Sequence, residues 1–393
     1  MSRIIFVDDE PIILKALARM LYVHDEWEVL TASTGAEALA RLAEGPADVL
    51  VSDMQMPDMD GLTLLTQVMK HHPRVVRLIL SGESDLARAR SVIPVAHQFL
   101  AKPCSSQDLL EVLRSLSGLR ALIGQRALQE SVGRLGSLPS RPEVYLELTR
   151  ALDDPEVSID DLVGIVQRDA NITSRILQLA NSAFLGGHQR TSSLQQAVSF
   201  IGFRMLRDLV MTCEVFRSVG ADDTAKAEEA RVRDGARIAQ IIAGHHADDA
   251  LLTAALLRDV GSLIVRRTES PAAHAAVRLR IEAGLSQVAA EREIFGYTHA
   301  EIGAYLLAVW GMPLSLVEAV LFHHAPWTAS PDSLDIAGVL RVADHVLDLR
   351  SAASAVETEE MVQTNTYVKT LGLSESWIDW CDQAAEILTA RAA

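Results

Sequence analysis

Five short apolar runs, Ile4–Val7, Val29–Ala32, Val49–Ser52, Leu78–Leu80 and Phe99–Ala101, punctuate the first 116 residues of this chain. Between them, apolar residues recur every three to four positions, the spacing of one helix face. Short runs of this kind read as buried strands, and strands alternating with helices imply a parallel sheet covered on both faces. The expected fold of this part is therefore α/β, a doubly wound five-stranded parallel sheet, with its ligand crevice at the carboxyl ends of the strands.

From Leu135 onward the pattern changes to Ala, Leu, Val and Ile at helical spacing without strand alternation, so an all-α second part is expected. Between the two parts, Leu109, Val112, Leu116, Leu119 and Ile123 are spaced 3, 4, 3, 4, the seam of a coiled coil. Leu109 to Leu116 reads as the last helix of the α/β part packing on its own sheet. Leu119 and Ile123 leave two readings open: continued packing, or a projecting linker helix that transmits a signal or dimerises.

At 393 residues with 49% hydrophobic and 22% charged content, the chain has material for two or three real cores. Its formal charge is −16, which argues against binding nucleic acid or an anionic membrane through clustered Lys and Arg. Cys104, Cys213 and Cys381 form neither a disulfide framework nor a CxxC metal site, which fits a reducing cytoplasm. No signal peptide is expected at the N-terminus. The longest uncharged stretch, Ile302 to Val317, contains Gly311 and Pro313 and falls short of the roughly 18 residues of a membrane span.

Chemistry-bearing residues gather at the strand ends. Asp8 and Asp9 follow the first run, Asp53 the third, Ser81 the fourth and Lys102 the fifth. Three carboxylates in one crevice repel one another unless a divalent cation or Lys102 offsets their charge. All-oxygen donors with few protein ligands suit Mg²⁺. Asp53 is then placed to act as a nucleophile, taking a phosphoryl group as an acyl phosphate while the cation and Lys102 stabilise the transferring charge. Each element has a plainer use as well, since Asp8-Asp9 could cap a helix near Pro11 and Asp58-x-Asp60-Gly61 is turn chemistry.

Phe6-Val7-Asp8-Asp9-Glu10, Val51-Ser52-Asp53-Met54-Gln55-Met56-Pro57-Asp58-Met59-Asp60-Gly61, Leu80-Ser81-Gly82 and Ala101-Lys102-Pro103 resemble the CheY-like receiver domain of two-component response regulators, in order and spacing. The resemblance implies that Asp53 is the phospho-acceptor and that Asp8, Asp9, Asp53 and the Gln55 carbonyl supply the Mg²⁺ environment. It makes Ser81 the switch hydroxyl, Phe99 the coupled rotameric aromatic and Lys102 the phosphate partner, with a cis Lys102-Pro103 bond. Phe99 lacks the hydroxyl that many family members carry there.

The second part resembles the HDOD domain, a relative of the HD metal-dependent phosphohydrolases, over roughly Leu135 to His324. The resemblance rests on Leu138–Val144, Gln178–Phe184, Gln196–Gly202, Ala254–Gly261, Thr298–Gly303, the Trp310–Pro313 turn and His323-His324. An active HD site needs an adjacent His-Asp pair plus a His and an Asp on other helices. Here the pair reads Arg258-Asp259, and a guanidinium offers only donors and cannot ligate a metal. Asp234 falls near the upstream His position, and His245 and His246 come too late to replace it. The remaining Asp259, His299, His323, His324 and Asp344 are expected as a degenerate pocket with Arg258 neutralising carboxylates and no metal, a residual metal site being the weaker alternative. Asn181 is expected to satisfy backbone groups within the bundle.

The resulting expectation is a receiver domain at 1–118, a linker helix at 119–134, an HDOD domain at 135–330 and a helical extension at 331–393 in which Trp377, Ile378 and Trp380 pack on the bundle. Phosphorylation would come from a histidine kinase or phosphotransfer protein and be read out non-catalytically, by binding a downstream protein or by homodimerisation through the linker. Direct DNA binding is not expected, because residues 1–118 hold 11 Lys and Arg against 16 Asp and Glu, and the remainder carries net −11. The alternatives are a phosphorylation-controlled HD-type phosphohydrolase and a cyclic-nucleotide sensor in which Arg258 binds phosphate.

Overall fold

A computed structural model describes the chain apart from residues 1, 23, 82–94, 108, 111, 115, 117–125, 136–146, 149–150, 153, 155–156, 182–190, 214–222, 245–247, 351–358 and 390–393. Leu119, Ile123, Leu138–Val144, Ser182-Ala183-Phe184, His245 and His246 lie outside the described residues.

The N-terminal part is a parallel sheet of β1 (Ser2–Val7), β2 (Trp27–Ala32), β3 (Val49–Asp53), β4 (Val76–Ser81) and β5 (Gln98–Ala101), in the order β2-β1-β3-β4-β5. Its ladders pair Val7 with Ala32 and Ser52, Asp53 with Leu80, and Ser81 with Ala101, so the five strands end nearly level. Strand order reverses between β1 and β3, the point at which a doubly wound sheet opens a crevice. The ladders start earlier than the apolar runs do, at Ser2, Trp27 and Val76.

Three described helices cover the sheet: α1 (Pro11–Leu21), α2 (Gly35–Glu44) and α3 (Gly61–His71). Helix α1 starts on Pro11, with Glu10 at the cap and no side-chain capping bond. Neither Asp8 nor Asp9 caps it. Asp8 instead accepts the backbone N–H of Glu10 at 2.9 Å and keeps its other oxygen for the crevice. The Asp58–Gly61 turn fixes α3 beside β3. Asp58 takes a left-handed backbone (φ 67°), and Asp60 caps α3 by accepting from Thr63 at 2.8 Å. Gly61 has no Cβ because one would lie 2.4 Å from the Asp53 carbonyl.

The rest is helical: α4 (Arg126–Gly133), α5 (Ile159–Val166), α6 (Ala170–Ala180), α7 (Leu194–Cys213, kinked at Gly202), α8 (Asp223–Ala243), α9 (Asp249–Leu257), α10 (Val260–Thr268), α11 (Pro271–Glu282), α12 (Gln287–Phe295), α13 (His299–Val309), α14 (Leu314–Phe322), α15 (Ile336–Arg350), α16 (Glu359–Thr370) and α17 (Ser374–Thr389). Helix α15 runs through the bundle with Leu340, Val342, Ala343 and Val346 fully buried, packed on α8 and α14. Trp377 and Trp380 pack partly buried on this core, whereas Ile378, expected there too, is 61% exposed because it falls on the outer face of α17.

Leu109, Val112 and Leu116 are buried, as the first half of the seam requires. The expected linker helix does not project over Arg126–Gly133. Leu128 and Val132 are buried where α4 packs on α10 and α13, and Gly133 sits so close to the turn before β4 that a Cβ would overlap the Pro73 carbonyl. Its apolar positions find partners inside the chain, and Glu130 also pairs with Arg74 at 3.7 Å.

The two parts meet at the start of β5. The Gln98 side chain donates to the Val309 carbonyl at 2.9 Å, and Gln178 of α6 donates to the His97 carbonyl at 2.9 Å. Beneath them Arg77, fully buried in β4, donates to the Val95 carbonyl at 2.6 Å and lies 3.0 Å from the His97 ring, which holds the loop before β5 in place.

Candidate functional site at the strand ends and the pocket in the bundle

Lys102, one residue beyond β5, reaches back across the crevice. Its ammonium lies 2.7 Å from Asp53 Oδ1 and 2.8 Å from Asp8 Oδ2. Asp8 is fully buried and Asp53 8% exposed, and the carboxylates of Asp8, Asp9 and Asp53 lie within 4.8 Å of one another. The Lys102-Pro103 bond is cis. The Met54 N–H also donates to Asp53 Oδ1 at 2.8 Å.

Burial pushes the Asp53 carboxyl above its usual range, and the Lys102 contact only partly offsets that, with Asp8 adding to the rise. Burial alone would lower Lys102, but its hydrogen bonds to Asp53 and Asp8 hold it above the usual lysine value. Two strongly buried carboxylates thus share one cation, while Asp9 stands exposed at the rim. An oxygen-only donor set of this kind fits Mg²⁺, which takes one or two carboxylates and keeps several waters. Ser81 and Phe99 stand at the ends of β4 and within β5, and the structure describes their backbone only.

In the bundle, Arg258 and Asp259 occupy the join of α9 and α10. The buried guanidinium of Arg258 lies 3.0 Å from Asp344 Oδ1 on α15 and 3.3 Å from Asp259 Oδ2, and donates to the Ala255 carbonyl at 3.0 Å. Helix α8 makes room for it at Gly235, where a Cβ would lie 2.4 Å from Nη2, and Arg231 adds a second cation, 2.8 Å from Asp348 and 3.7 Å from Asp344. Asp234 is buried beside Gly235.

His299 and the His323-His324 pair close the other side. His299 Nε2 lies 2.9 Å from His324 Nε2 and 3.5 Å from Asp259 Oδ1, and His323 Nε2 lies 3.9 Å from that oxygen. Burial would raise the Asp259 carboxyl, but Arg258, His299, His323 and Arg231 together hold it well below the usual range. Burial would lower His299, yet Glu291 and Asp259 raise it to about 9; burial and the neighbouring His324 drive His323 well below its ordinary value. The six pocket residues named from the sequence are therefore brought together. Asn181 braces the chain, donating to and accepting from the Thr191 backbone at 2.9 and 2.6 Å.

Glu291, Arg231 and Gly235 escaped sequence reasoning. Glu291 lies on a different helix from His299 and accepts from both its ring and its backbone N–H, a contact with no signature in local spacing.

Buried carboxylates paired with a lysine at the ends of a β2-β1-β3-β4-β5 sheet are the arrangement of a receiver-type α/β domain. The family model of the response regulator receiver domain matches residues 4–114, and that of the HDOD domain matches residues 138–326. The chain therefore carries a response regulator receiver domain followed by an HDOD domain. It is similar to the transcriptional regulatory protein TrcR of Mycobacterium tuberculosis, 35% identical over 29% of this chain and 44% of that one. It is also similar to an uncharacterised protein of Treponema pallidum, 26% identical over 49% of this chain and 38% of the relative. The chain thus spans less than half the length of these curated relatives. Among solved structures, the MmoQ response regulator of Methylococcus capsulatus aligns at 25% identity over 62% of this chain and 98% of its own, with a TM-score of 0.49. Among the described residues, no helix is long and apolar enough to cross a membrane.

Proposed function

We propose that this chain is a phosphorylation-dependent response regulator in which Asp53 accepts a phosphoryl group from a cytoplasmic histidine kinase or phosphotransfer protein. One Asp53 oxygen bonds to phosphorus as the bond from phosphorus to the donor nitrogen breaks, giving an acyl phosphate. Lys102, held by Asp53 and Asp8, neutralises the transferring oxygens. Asp8, Asp9, Asp53 and the Gln55 carbonyl would hold Mg²⁺, which when bound supplies further neutralisation of the phosphoryl charge. Ser81 and Phe99 then carry the change in the strand ends toward the output. The observation that carries this reading is the Lys102 ammonium bridging Asp53 and Asp8 at 2.7 and 2.8 Å.

The division into 1–118, 119–134, 135–330 and 331–393 belongs to the same reading. So does a non-catalytic output, supported by Arg258, whose guanidinium pairs with Asp259 and Asp344 where an active HD site would have ligands. With the apolar face of α4 used inside the chain, recognition of a downstream protein is better supported than a homodimer through that helix.

Incubation of the full chain with a small-molecule phosphodonor and Mg²⁺ should label Asp53 and give a hydroxylamine-sensitive adduct. Asp53→Asn should lose the label. A label that survives this substitution overturns the assignment.

A further inference from the structure

A cavity of about 240 Å³ opens between α5, α7 and α9 and shares no lining residue with either site described above. Leu194, Thr253 and Leu256 form its buried floor, and Val163 and Leu252 stand half-buried on its walls. The Thr253 hydroxyl donates to the Ser192 carbonyl at 2.6 Å, so only its lone pairs remain for the cavity. Asp160 and Gln195 are exposed at the mouth, where the Gln195 side chain donates to Asp160 Oδ1 at 2.8 Å and links α5 to α7.

Two features point to a ligand rather than a packing gap. Gly164 lies inside α5, where glycine costs about 1 kcal/mol against alanine, yet a Cβ on it would meet no other part of the chain within 4 Å. Close packing therefore does not require this glycine, and its missing side chain keeps the wall of the cavity open. The second feature is Asp160. Its neighbour Asp161 is used up in the capping box with Ser158, whereas the Asp160 carboxylate meets only Gln195 among the described residues and keeps Oδ2 for another donor.

We propose that this cavity binds a small primary amine whose apolar body is about one ring in size. The ring rests on Leu194, Leu252 and Leu256, and the ammonium is held at the mouth by Asp160 and Gln195. An apolar cavity of about 150 Å³ takes one benzene ring, so 240 Å³ holds a ring with a short arm. It falls below the roughly 300–1,000 Å³ of sites for drug-sized ligands. A carboxylate only accepts, so Gln195 turns its amide nitrogen toward Asp160 and leaves its carbonyl oxygen to accept as well. Two acceptors side by side suit an ammonium. Asp160 carries the one charge among the lining residues, and the net −16 of the chain disfavours an anion. Such a ligand would brace α5, α7 and α9 against one another, a small-molecule input to the helical half that is independent of phosphorylation at Asp53.

The test is calorimetric titration of the full chain, carrying Asp8→Asn and Asp53→Asn so that the receiver carboxylates do not compete for an amine. Three probes of one shape and different charge are compared: phenethylamine, 2-phenylethanol and phenylacetate. Phenethylamine is expected to bind at one equivalent, 2-phenylethanol about tenfold more weakly, and phenylacetate not at all. Asp160→Asn, at an exposed position that the fold does not depend on, should bring phenethylamine down to the level of the alcohol. Gly164→Leu fills the cavity from α5 and should abolish binding of both, with an unfolding midpoint measured in urea to show that the chain is folded. Equal affinity for the amine and the alcohol, no binding of phenethylamine, undiminished binding by Asp160→Asn, or binding by a folded Gly164→Leu chain overturns the proposal.

Discussion

Arg258 is fully buried, held between Asp344 and Asp259 and against a helix face cleared by Gly235. Removing Arg258 leaves the buried Asp344 with only the longer 3.7 Å contact to Arg231. Arg258→Met should therefore cost about 3–5 kcal/mol, read as a lower urea midpoint at unchanged m-value. His345 makes the opposite case. Among the described residues neither of its ring nitrogens has a hydrogen-bond partner, and the ring packs 5.0 Å from Trp377. Burial, assisted by Arg341, lowers its pKa from the ordinary 6.5 to about 4. Between these values the unfolded chain binds more protons than the folded one, so His345 contributes its full stability above about pH 6.5 and loses it as the pH falls toward 4. Thermal unfolding from pH 7 to 4.5 should show a steeper loss for the parent chain than for His345→Phe. The acidic crevice was legible one residue at a time because Asp8, Asp53 and Lys102 each follow an apolar run. His345 was not, since nothing in its local sequence announces that both its nitrogens are buried without partners.

At the scale of elements, helices α10 and α13 cross at their small residues. A Cβ on Gly261 would lie 1.9 Å from the His299 carbonyl, and one on Gly303 3.1 Å from the Gly261 nitrogen. This close crossing is what sets Asp259 beside His299. Gly261→Ala should force the helices apart, costing about 1–3 kcal/mol in a calorimetric or urea measurement. Gly303→Ala, with more room, should cost less. The five strands could be read from the sequence as apolar runs, yet each was read too short. Their starts carry polar or charged residues such as Ser2, Arg77 and Gln98, which the alternation rule assigns to loops. Arg77 belongs in the buried strand because the loop before β5 supplies the Val95 carbonyl and the His97 ring, partners that exist only once the chain has folded.

Across the whole molecule, both halves are acidic, at net −5 and −11, so long-range charge does not draw them together. Short polar contacts at the start of β5 hold them, and β5 also carries Phe99 and ends one residue before Lys102. Phosphorylation would add about −1.5 to −2 charges at Asp53, whose partner Lys102, at 2.7 Å, lies four residues after Gln98. Replacing both Gln98 and Gln178 with Ala should speed amide hydrogen exchange at residues 95–101 while leaving β1 and β3 protected, if this seam is what couples the halves. Unchanged exchange there would show that other contacts do so. This level was the least legible in the sequence, because a glutamine that reaches a distant backbone carbonyl leaves no periodicity and no charge partner.

That choice of acceptor has a consequence for anyone dissecting the seam by mutation. Gln98 grips the main-chain oxygen of Val309, and Gln178 grips that of His97. Side-chain changes at Val309 or His97 leave those oxygens in place, so each contact can be cut from one side only. An alanine scan confined to the helical half would find Gln178 and miss Gln98 altogether. Conversely, the receiver could be exchanged for another that keeps a glutamine at the first residue of β5 without redesigning the helical surface it meets.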